Sequence, residues 1–462
     1  MSSPSCSGPQ SDDHDASTVS SETSTLEYGQ EAFDTFQTRV LDLAVTKLWP
    51  DTAAEDMTVE RLKGGGYNRI IGLSLAQPSA HGDGKTDYIL RIPRNDSARV
   101  ENEVATLHFI QRRTRIPAPV VVAFDDTDEN CLGSPYTLQE RIPGTRLLSL
   151  FPTMTHQERI KIAEELGGII KQMLAVRSAM PSIFVPSTEL PPIASSFSVA
   201  PLQLSDVMLL SLIRAPRATD TRLARPYSEG APTVTSLFRA ERERLLKLDP
   251  NDSFGTDLID KFSQMVSDLE AQGWLVNDHY TIVHWDLAPR NILVNPTDNP
   301  QAPLISGMLD WDCAILGPMF MTCGPPLWIW AWSDEDEDED EKIANNDPSD
   351  PEARELKEVF EKAAGPDYLS FAYKPAYRLA RCLVRIAIEG VHSTDAWRRA
   401  EAMLQEWAEI RNKENKESAS TAAYAEKKED EKRKKEDEKR KKEEENNDDD
   451  NDDNDGEDDD SE

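Results

Sequence analysis

The sequence predicts an α+β protein with two lobes, in which a small antiparallel sheet is followed by a mainly helical region. Two observations support this class. In the first part of the chain, short apolar or alternating runs that favour strands surround one stretch with helical periodicity. Beyond residue 144, long stretches with apolar residues at helical spacing predominate. A chain of 462 residues is long enough to bury at least one full core and to divide into two lobes.

Bulk composition excludes several classes of protein. Acidic residues outnumber basic ones by 85 to 51, a formal net charge of −34, so no nucleic-acid partner is expected. The five cysteines are scattered without CxxC spacing, which indicates reduced intracellular thiols rather than disulfides or a zinc site. The first residues lack the basic and apolar regions of a signal peptide. No apolar stretch is long enough to span a bilayer, so no membrane partner is expected.

The elements of the first lobe follow in order. Residues 1–30 are rich in Ser, Thr and Asp and are predicted to be disordered. The N-lobe, residues 31–143, begins with a helix in "EAFDTFQTRVLDLAVTKLW" and continues with a strand beside a run of glycines. A second strand, "DYILRIP", is predicted to pair with it as a hairpin closed by the turn "GDGK". A helix in "ARVENEVATLHFIQRRT" and strands in "VVVAFD" and "YTLQERIPG" complete the lobe.

The C-lobe is predicted to cover residues 144–412. Its first long helix, "THQERIKIAEELGGIIKQMLAV", starts with a capping box that begins at Thr155. A Pro- and Ser-rich irregular insert is predicted at 181–235, and an acidic loop at 333–350. Further helices lie on either side of that loop. The charged low-complexity tail, residues 413–462, is predicted to be disordered or a solvent-exposed helix, in either case outside the core.

The chemistry of the chain is concentrated in "YTIVHWDLAPRNILVNPTDNPQAPLISGMLDWD". Here "ILVN" and "LISGMLD" are strands joined by a turn rich in Pro, Asn and Asp, and we expect them to form a hairpin. Asn291 precedes the first strand and Asp310 ends the second, so antiparallel pairing brings them to the same end of the hairpin. Asp286 lies on the loop that enters this end. Two carboxylates and an amide suit Mg²⁺ and the chemistry of phosphoryl transfer.

The segments "HWDLAPRNILVN" and "GMLDWD" resemble the catalytic and metal-binding loops of the aminoglycoside phosphotransferase/choline kinase-like family, which shares the protein-kinase fold. The resemblance implies a two-lobed protein-kinase-like fold with Asp286 as the catalytic base. It implies Asn291 and Asp310 as Mg²⁺ ligands, and His284 as a residue that braces the loop through hydrogen bonds.

The resemblance extends upstream and implies an ATP site. "LKGGGYNRIIGLSL" is similar to the family's glycine-rich nucleotide loop, whose backbone N–H groups approach phosphate. "YILRIPR" and "ENEVATLHFI" are similar to the strand and helix that carry a phosphate-binding cation and its glutamate partner. "YTLQERIPG" matches the hinge between the lobes, where Glu140 and its neighbours offer backbone groups to adenine. The implied cofactor-binding residues are Gly64, Gly65, Gly66, Arg91, Glu103, Gln139 and Arg141.

Three positions differ from the closest kinase patterns or stay without a role. Arg91 stands where protein kinases use lysine, and its planar fork contacts phosphate with different geometry. Trp285 stands where small residues are usual in the family, and we expect it to shape the acceptor pocket. Asp312 is interpreted as a loop acid rather than a metal ligand. No A-P-E segment follows Asp310, which argues against a protein kinase proper.

Three functional hypotheses follow. The first is an ATP- and Mg²⁺-dependent phosphotransferase that transfers the γ-phosphoryl group to a small-molecule hydroxyl. The second is a catalytically silent pseudokinase that serves as a binding or scaffold module. The third is an acidic chaperone-like protein. We favour the first because the acid/amide/acid set is intact.

The sequence does not specify the acceptor or the oligomeric state. The resemblance implies acceptors among antibiotics, choline-like alcohols, sugars and amino-acid-like compounds, which are bound by the variable C-terminal helices and the insert. A cytoplasmic location is the default expectation, and "EKRKKEDEKRKK" leaves nuclear import open.

Overall fold

The computed structural model describes most of the chain in two units, Met1–His392 and Ser393–Glu462. Several predicted features lie outside the described residues: the N-terminal 1–30, the three glycines Gly64–Gly66, most of the insert, the acidic run 333–340, and the end of the tail. The described residues are 31–62, 67–79, 82–94, 100–186, 197–201, 233–251, 253–276, 279–296, 299, 301–332, 341–391 and 393–449.

The first lobe is built on a five-stranded antiparallel sheet in the order β1-β2-β3-β5-β4. Among the described residues of this lobe, one α-helix precedes the sheet and another lies between its third and fourth strands. The predicted α+β class with an antiparallel sheet in the N-lobe is therefore confirmed. The elements are α1 Phe33–Leu43, β1 Met57–Arg61, β2 Asn68–Ser79, β3 Gly82–Pro93, α2 Val100–Arg113, β4 Val121–Asp125 and β5 Tyr136–Glu140.

The β2–β3 hairpin confirms one prediction and corrects its detail. The two strands pair along their full length, as expected. The predicted turn "GDGK" is wrong, because Gly82 pairs with Ser79 and Lys85 pairs with Ala76. These residues therefore belong to β3 and not to its turn. Glycine and lysine are weak strand formers, and pairing with β2 overrides that local preference.

The N-lobe core lies between α1 and the sheet. Phe36, Val40 and Leu43 are spaced at four and three residues, so they share one face of α1. All three are buried and pack in one cluster with sheet residues that include Ile71 and Leu90. This packing holds the central strands β2 and β3 at a fixed position. Arg91 follows Leu90 directly and therefore points to the opposite face of β3.

The second lobe is mainly helical and contains two small sheets, in the orders β11-β10-β6 and β8-β7-β12-β9. Its described helices are α3 Leu147–Leu150, α4 His156–Ala175, α5 Val234–Leu248, α6 Ser253–Ala271, α7 Met319–Thr322, α8 Pro351–Ala364, α9 Pro366–Ala372 and α10 Pro375–Glu389. Its described strands are β6 Thr145–Arg146, β7 Ser182–Pro186, β8 Phe197–Pro201, β9 Tyr280–Val283, β10 Ile292–Val294, β11 Ile305–Met308 and β12 Ile315–Pro318.

Two predicted features of the C-lobe can be compared with the structure, the capping box at Thr155 and the irregular insert at 181–235. The capping box of α4 is present, because the side chains of Thr155 and Glu158 each accept a hydrogen bond from the other's backbone N–H. The prediction of a wholly irregular insert at 181–235 is wrong where the structure describes it. β7 and β8 pair as an antiparallel hairpin within this range. β7 also pairs with β12, so a Pro-rich segment with little local strand signal is added to a sheet.

The hairpin that carries the predicted metal ligands is formed by β10 and β11. Ile292 pairs with Met308, and Asn291 and Leu309 lie directly beyond this pair. Glu165 of α4 accepts hydrogen bonds from the backbone N–H groups of Leu304 and Ile305, at 2.9 and 2.8 Å. The turn end of the hairpin, opposite the end that carries Asn291 and Asp310, is thus tied to α4.

The second unit contains a long helix, α11, from Thr394 to Asp449. The first part of the charged tail is therefore helical, one of the two forms expected for it. Opposite charges lie four residues apart along it, and Arg433 contacts Glu429 at 3.9 Å. Such pairs stabilise a solvated helix by about 0.2–0.5 kcal/mol each. Across the described residues, no helix combines the length and apolarity that crossing a bilayer requires.

The packing of α4 against α8 predicts opposite effects for two adjacent glycines. A Cβ at Gly167 would lie 2.6 Å from the carbonyl oxygen of Phe360, whereas one at Gly168 would meet nothing within 4 Å. We expect Gly167→Ala to lower the free energy of unfolding by about 1–3 kcal/mol, because it overpacks the interface. Gly168→Ala should raise that free energy by about 0.5–1 kcal/mol through helix propensity. Denaturant unfolding of both variants measures the difference, and equal effects would contradict the described packing.

Candidate active site

The loop after β9 is braced by a buried histidine. His284 is 1% exposed, and its Nε2 lies 2.8 Å from the carbonyl oxygen of Leu309, at the end of β11. Burial lowers the pKa of His284, which favours the neutral ring. The ring also lies against the Trp311 indole at a centroid distance of 4.4 Å. His284 therefore connects the loop to the β10–β11 hairpin, as expected of a bracing residue.

Asp286 is oriented by two side chains from the short helical turn that follows it. Asn291 Nδ2 donates to Asp286 Oδ2 at 2.8 Å and to the Asp286 carbonyl oxygen at 3.0 Å. Arg290 donates to Asp286 Oδ1 at 2.6 Å. Both carboxylate oxygens are therefore held, and the amide oxygen of Asn291 is turned away from Asp286. Arg290 was not among the predicted site residues, although its spacing of four residues from Asp286 is visible in the sequence.

The pairing register of β10 and β11 brings Asp310 to the same end of the hairpin as Asn291. The backbone N–H of Leu309 donates to the carbonyl oxygen of Asn291 at 2.8 Å, directly before Asp310. Asp310 has a φ of 60°, in the left-handed region, where its short polar side chain is tolerated. Its Oδ1 accepts a hydrogen bond from Arg91 at 2.7 Å. The predicted convergence of Asp286, Asn291 and Asp310 at one end of the hairpin is what the structure contains.

Arg91 is the central cation of the site. It is 7% exposed, and its Nε lies 3.2 Å from Oε1 of Glu103 on α2. Its two other nitrogens contact Asp310 Oδ1 at 2.7 Å and Asp312 Oδ2 at 3.2 Å. Gln139 of β5 donates to the same Glu103 oxygen at 3.0 Å. One guanidinium is therefore shared by three carboxylates, two of which come from the C-lobe loop after β11.

The four charged groups perturb one another's protonation. Burial opposes the charge of Arg91, but Glu103, Asp310 and Asp312 outweigh burial and raise its pKa. Burial raises the pKa of Glu103 despite the nearby Arg91. For Asp310, burial is outweighed by Arg91, and its pKa is lowered. Burial together with Asp310 and Glu103 raises the pKa of Asp312 to about 7, even against Arg91. With one cation and three ionised carboxylates the cluster would carry a net charge of −2, and a proton on Asp312 reduces that excess.

The interpretation of Asp312 as a simple loop acid is incomplete, because its carboxylate contacts two residues of the first lobe. Its side chain is 13% exposed, and it accepts hydrogen bonds from Arg91 and from Asn68, both at 3.2 Å. Asn68 begins β2, two residues after the three glycines. Asp312 therefore joins the first lobe to the loop that carries Asp310. Its spacing of two residues from Asp310 was the available signal, but the partners on β2 and β3 were not visible in sequence.

Trp285 has an unfavourable backbone conformation. Its φ is 74°, and apart from Asp310 it is the one non-glycine residue with positive φ in the described ranges. Holding a bulky residue there costs on the order of 1–3 kcal/mol and requires support from its surroundings. Trp285 is 3% exposed, its indole N–H donates to Glu389 at 2.8 Å, and its carbonyl oxygen accepts from Arg385 at 2.8 Å. Trp285 was predicted to be important, but its partners Glu389 and Arg385 were not predicted.

A cavity of about 560 Å³ unites these groups. It lies between the N-lobe sheet and the loop after β9. Apart from Glu103, all described residues that were predicted to bind the cofactor or the metal or to act in catalysis line it. Glu103 lies behind Arg91. The predicted residues that line the cavity are Arg91, Gln139, Arg141, Asp286, Asn291 and Asp310, and further lining residues include Tyr67, Asn68, Trp285, Arg290, Asp312, Arg385 and Glu389.

The segment predicted as a hinge has part of its backbone already engaged. The N–H of Glu140 donates to the carbonyl oxygen of Val120 at 2.8 Å, and the N–H of Arg141 donates to that of Asp87 at 3.0 Å. These two donors hold β5 between its neighbouring strands and are not directed at the cavity. The Arg141 guanidinium contacts Glu60 at 3.0 Å. These two N–H groups are therefore engaged within the protein, and the expectation that backbone groups of this segment bind adenine stays a prediction.

The donor set fits a hard divalent cation that also contacts phosphate. Asp310 and Asn291 provide a carboxylate and an amide at one edge of the cavity. Within the part of the chain that the structure describes, no three His, Cys, Asp or Glu side chains gather into a metal cluster. A cation here would complete its coordination with phosphate oxygens and water, which is the habit of Mg²⁺ in nucleotide sites.

Comparison with known proteins agrees with this geometry. The family model described as "Phosphotransferase enzyme family" (APH) matches residues 79–356, which is more than half of the chain. A subtelomeric hrmA-associated cluster protein of Aspergillus fumigatus is 25% identical over 390 residues, which are 73% of this chain and 70% of the relative. The matched family range contains the predicted catalytic, metal and cation positions from Arg91 to Asp310.

Two further similarities are more limited. The mitochondrial "altered inheritance of mitochondria protein 9" of Debaryomyces hansenii is 30% identical over 125 residues, which are 26% of this chain and 19% of that protein. Among solved structures, the GDP complex of wild-type aminoglycoside 2′-phosphotransferase-IIIa is 13% identical. That match covers 81% of this chain and 99% of the other, with a TM-score of 0.38.

The buried cation predicts a large stability effect at Arg91. We expect Arg91→Met to lower the free energy of unfolding by about 3–5 kcal/mol, because it leaves buried carboxylates uncompensated. Arg141→Met is the matched control, since its pair with Glu60 is half-exposed, and it should cost less than about 1 kcal/mol. Denaturant unfolding of both variants at neutral pH checks this. Similar losses in the two variants would show that the Arg91 cluster is solvated.

The raised pKa of Asp312 predicts a pH-dependent effect of neutralising it. Between the ordinary value of 3.8 and about 7, the folded protein binds a proton that the unfolded chain has released, so wild-type stability falls as pH rises. Asp312→Asn removes this loss, so its advantage over wild type should grow by roughly 1.4 kcal/mol per pH unit and level off above pH 7.

Unfolding of wild type and Asp312→Asn from pH 5 to 8, in a metal chelator, measures this difference. Asp257→Asn, on the exposed surface of α6, should change stability by less than about 0.5 kcal/mol throughout. A constant difference between wild type and Asp312→Asn across the range would contradict the raised pKa.

Proposed function

This chain belongs to the phosphotransferase enzyme family (APH), and we propose that it transfers the γ-phosphoryl group of ATP to a hydroxyl group of a small molecule, with Mg²⁺ as the metal. One observation carries the proposal. A single cavity is lined by an oriented carboxylate, a buried cation, and an amide and carboxylate suited to a divalent ion. These are the groups that phosphoryl transfer requires, because its catalysis is mostly positioning and charge stabilisation.

Asp286 is the proposed base. The acceptor oxygen forms a bond to the γ-phosphorus while the bond from that phosphorus to the β–γ bridging oxygen breaks, and ADP leaves with the electron pair. The acceptor proton passes to Asp286. Asn291 and Arg290 each occupy one site on the Asp286 oxygens, at 2.8 and 2.6 Å. Each carboxylate oxygen has a second acceptor site, so the group can be oriented and still accept a proton.

Asn291 and Asp310 are the proposed Mg²⁺ ligands. When bound, the ion supplies neutralisation of charge on the phosphate oxygens. Arg91 lies 2.7 Å from Asp310, which places a fixed positive charge beside the same oxygens. Its partner Glu103 keeps the guanidinium in place from the rear, at 3.2 Å. Arg91 therefore serves as the proposed phosphate-binding cation, in a fork geometry rather than as a point charge.

The nucleotide is proposed to enter beside the N-lobe sheet. Gln139 and Arg141 line the cavity on that side, and the glycines Gly64–Gly66 precede β2 in sequence. The acceptor is proposed to enter from the opposite side, where Trp285, Arg385 and Glu389 line the wall. The in-line geometry of phosphoryl transfer needs the two molecules on opposite sides of the γ-phosphate.

A silent nucleotide-binding module is the second candidate, and one observation favours it. Arg91 contacts Asp310 directly at 2.7 Å, so a cation at Asp310 has to share this carboxylate with the guanidinium. If that competition prevents metal binding, the fold would bind ligands without turnover. The two candidates differ in turnover and not in nucleotide binding.

The test is ADP formation by the full chain with Mg²⁺-ATP and a panel of amino alcohols, sugars, hydroxy amino acids and aminoglycosides. We expect an acceptor that raises ADP formation over the rate with water. Asp286→Asn keeps the side-chain size and should lower kcat by about 10²–10⁴-fold, the usual contribution of a general base. Asp126→Ala, an exposed acid after β4, is the control and should turn over like wild type.

The two candidates separate by combining turnover with binding. Wild-type turnover no higher than that of Asp286→Asn, for every acceptor, would reject the phosphotransferase proposal. A rise in melting temperature with Mg²⁺-ATP in the absence of turnover would then identify the silent module. Absence of both would reject the nucleotide site itself.

A further inference from the structure

The last turn of α10 contacts the catalytic loop at Trp285. Arg385 donates from its guanidinium to the Trp285 carbonyl oxygen at 2.8 Å and lies over the indole ring, 5.0 Å from the ring centroid. Glu389, the final residue of α10, accepts from the indole N–H at 2.8 Å. Arg385 and Glu389 also contact each other at 3.5 Å. Backbone, ring face and ring N–H of Trp285 are thus all engaged by one helix turn.

The position of Glu389 is unfavourable for the helix itself. The C-terminal end of a helix carries partial negative charge, so an acid in its last turn is destabilising there. Arg385 stands one turn earlier, where a cation is favourable. An acidic residue at 389 therefore contributes through its contacts rather than to α10. Those contacts are the indole N–H of Trp285 and the guanidinium of Arg385.

Trp285 is the residue directly before Asp286, and its φ of 74° sets the direction in which the loop continues. Glycine would adopt this φ without support, whereas tryptophan relaxes out of it unless its surroundings hold it. A relaxation at Trp285 would turn Asp286 away from Asn291 and Arg290, which fix its carboxylate. The orientation of Asp286 therefore depends on what holds Trp285.

We propose that Arg385 and Glu389 are positioning residues that hold Trp285 in its left-handed conformation and thereby aim Asp286 into the cavity. The proposal rests on the proposed function for the role of Asp286 as base. The alternative is direct contact with the acceptor, since Arg385 and Glu389 also line the cavity. The two roles differ in one respect: positioning acts through Trp285, and acceptor contact does not.

Hydrogen–deuterium exchange of the full chain tests the positioning without any turnover. The probe is the peptide that contains Trp285 to Asn291, whose N–H groups at Ala288 and Asn291 are hydrogen-bonded within the loop. We expect Glu389→Ala to speed its exchange about 10-fold, because local opening becomes easier. Glu389→Gln, whose amide oxygen still accepts from the indole N–H, should restore most of the protection. Unchanged exchange in Glu389→Ala would overturn the proposal.

Turnover of Mg²⁺-ATP with water as the acceptor, measured as released inorganic phosphate, supplies the second test. Glu389→Ala should lower kcat about 10- to 100-fold with KM for Mg²⁺-ATP changed less than about threefold, since a misplaced base slows the step and not nucleotide binding. In a Trp285→Gly background, Glu389→Ala should have less than about a twofold further effect on kcat and on exchange. The reason is that the indole through which Glu389 acts on the loop is absent.

Each outcome decides the proposal. An effect of Glu389→Ala that persists undiminished in Trp285→Gly would show direct contact with the reacting molecules and reject positioning. If Trp285→Gly has no turnover, exchange of the same peptide in the double variant decides instead. A wild-type protein that neither binds nor hydrolyses Mg²⁺-ATP would reject the proposed function, while the exchange data would still accept or reject the positioning of the loop.

Discussion

The structure of the site depends on one buried cation. Arg91 is shared by Glu103 of α2 and by Asp310 and Asp312 of the loop after β11, at 2.7–3.2 Å. A charge this deep is stable only when each partner is in place, because desolvation exceeds what any single ion pair returns. The strand β3, the helix α2 and the loop after β11 therefore depend on one another. Breaking any of these contacts leaves an uncompensated charge for the others.

A second constraint acts on the loop after β9, where contacts with α10 support the positive φ of Trp285. Within the described ranges, the two non-glycine residues with positive φ are Trp285 and Asp310, and both line the cavity. Strained backbone of this kind persists only where the surroundings over-determine it. The hairpin β10–β11 and the helix α4 supply rigid elements, and the loops between them carry the charged groups. The arrangement suits a family whose members transfer phosphoryl groups.

Sequence patterns were most informative where the relevant contacts are local. The α+β class, the capped start of α4 and the β10–β11 hairpin follow from periodicity, a capping box and two short strands around a turn. The wrong predictions concern segments whose conformation is decided by pairing with another strand. "GDGK" became strand because β2 continues opposite it, and the Pro-rich insert contains strands because β12 pairs with β7. Local propensity is too weak to outweigh such pairing.

The sequence by itself determined that Asn291 and Asp310 share one end of a hairpin, because antiparallel register is a local property of two adjacent strands. The Arg91–Glu103 pair was predicted from the resemblance of the sequence to a known family. Only the tertiary structure decided that Asp312 is buried between Asn68 and Arg91, and that Trp285 is held by Arg385 and Glu389. Those partners lie about one hundred or more residues apart in the chain. No periodicity spans such separations, since folding of both lobes is what brings these side chains into contact.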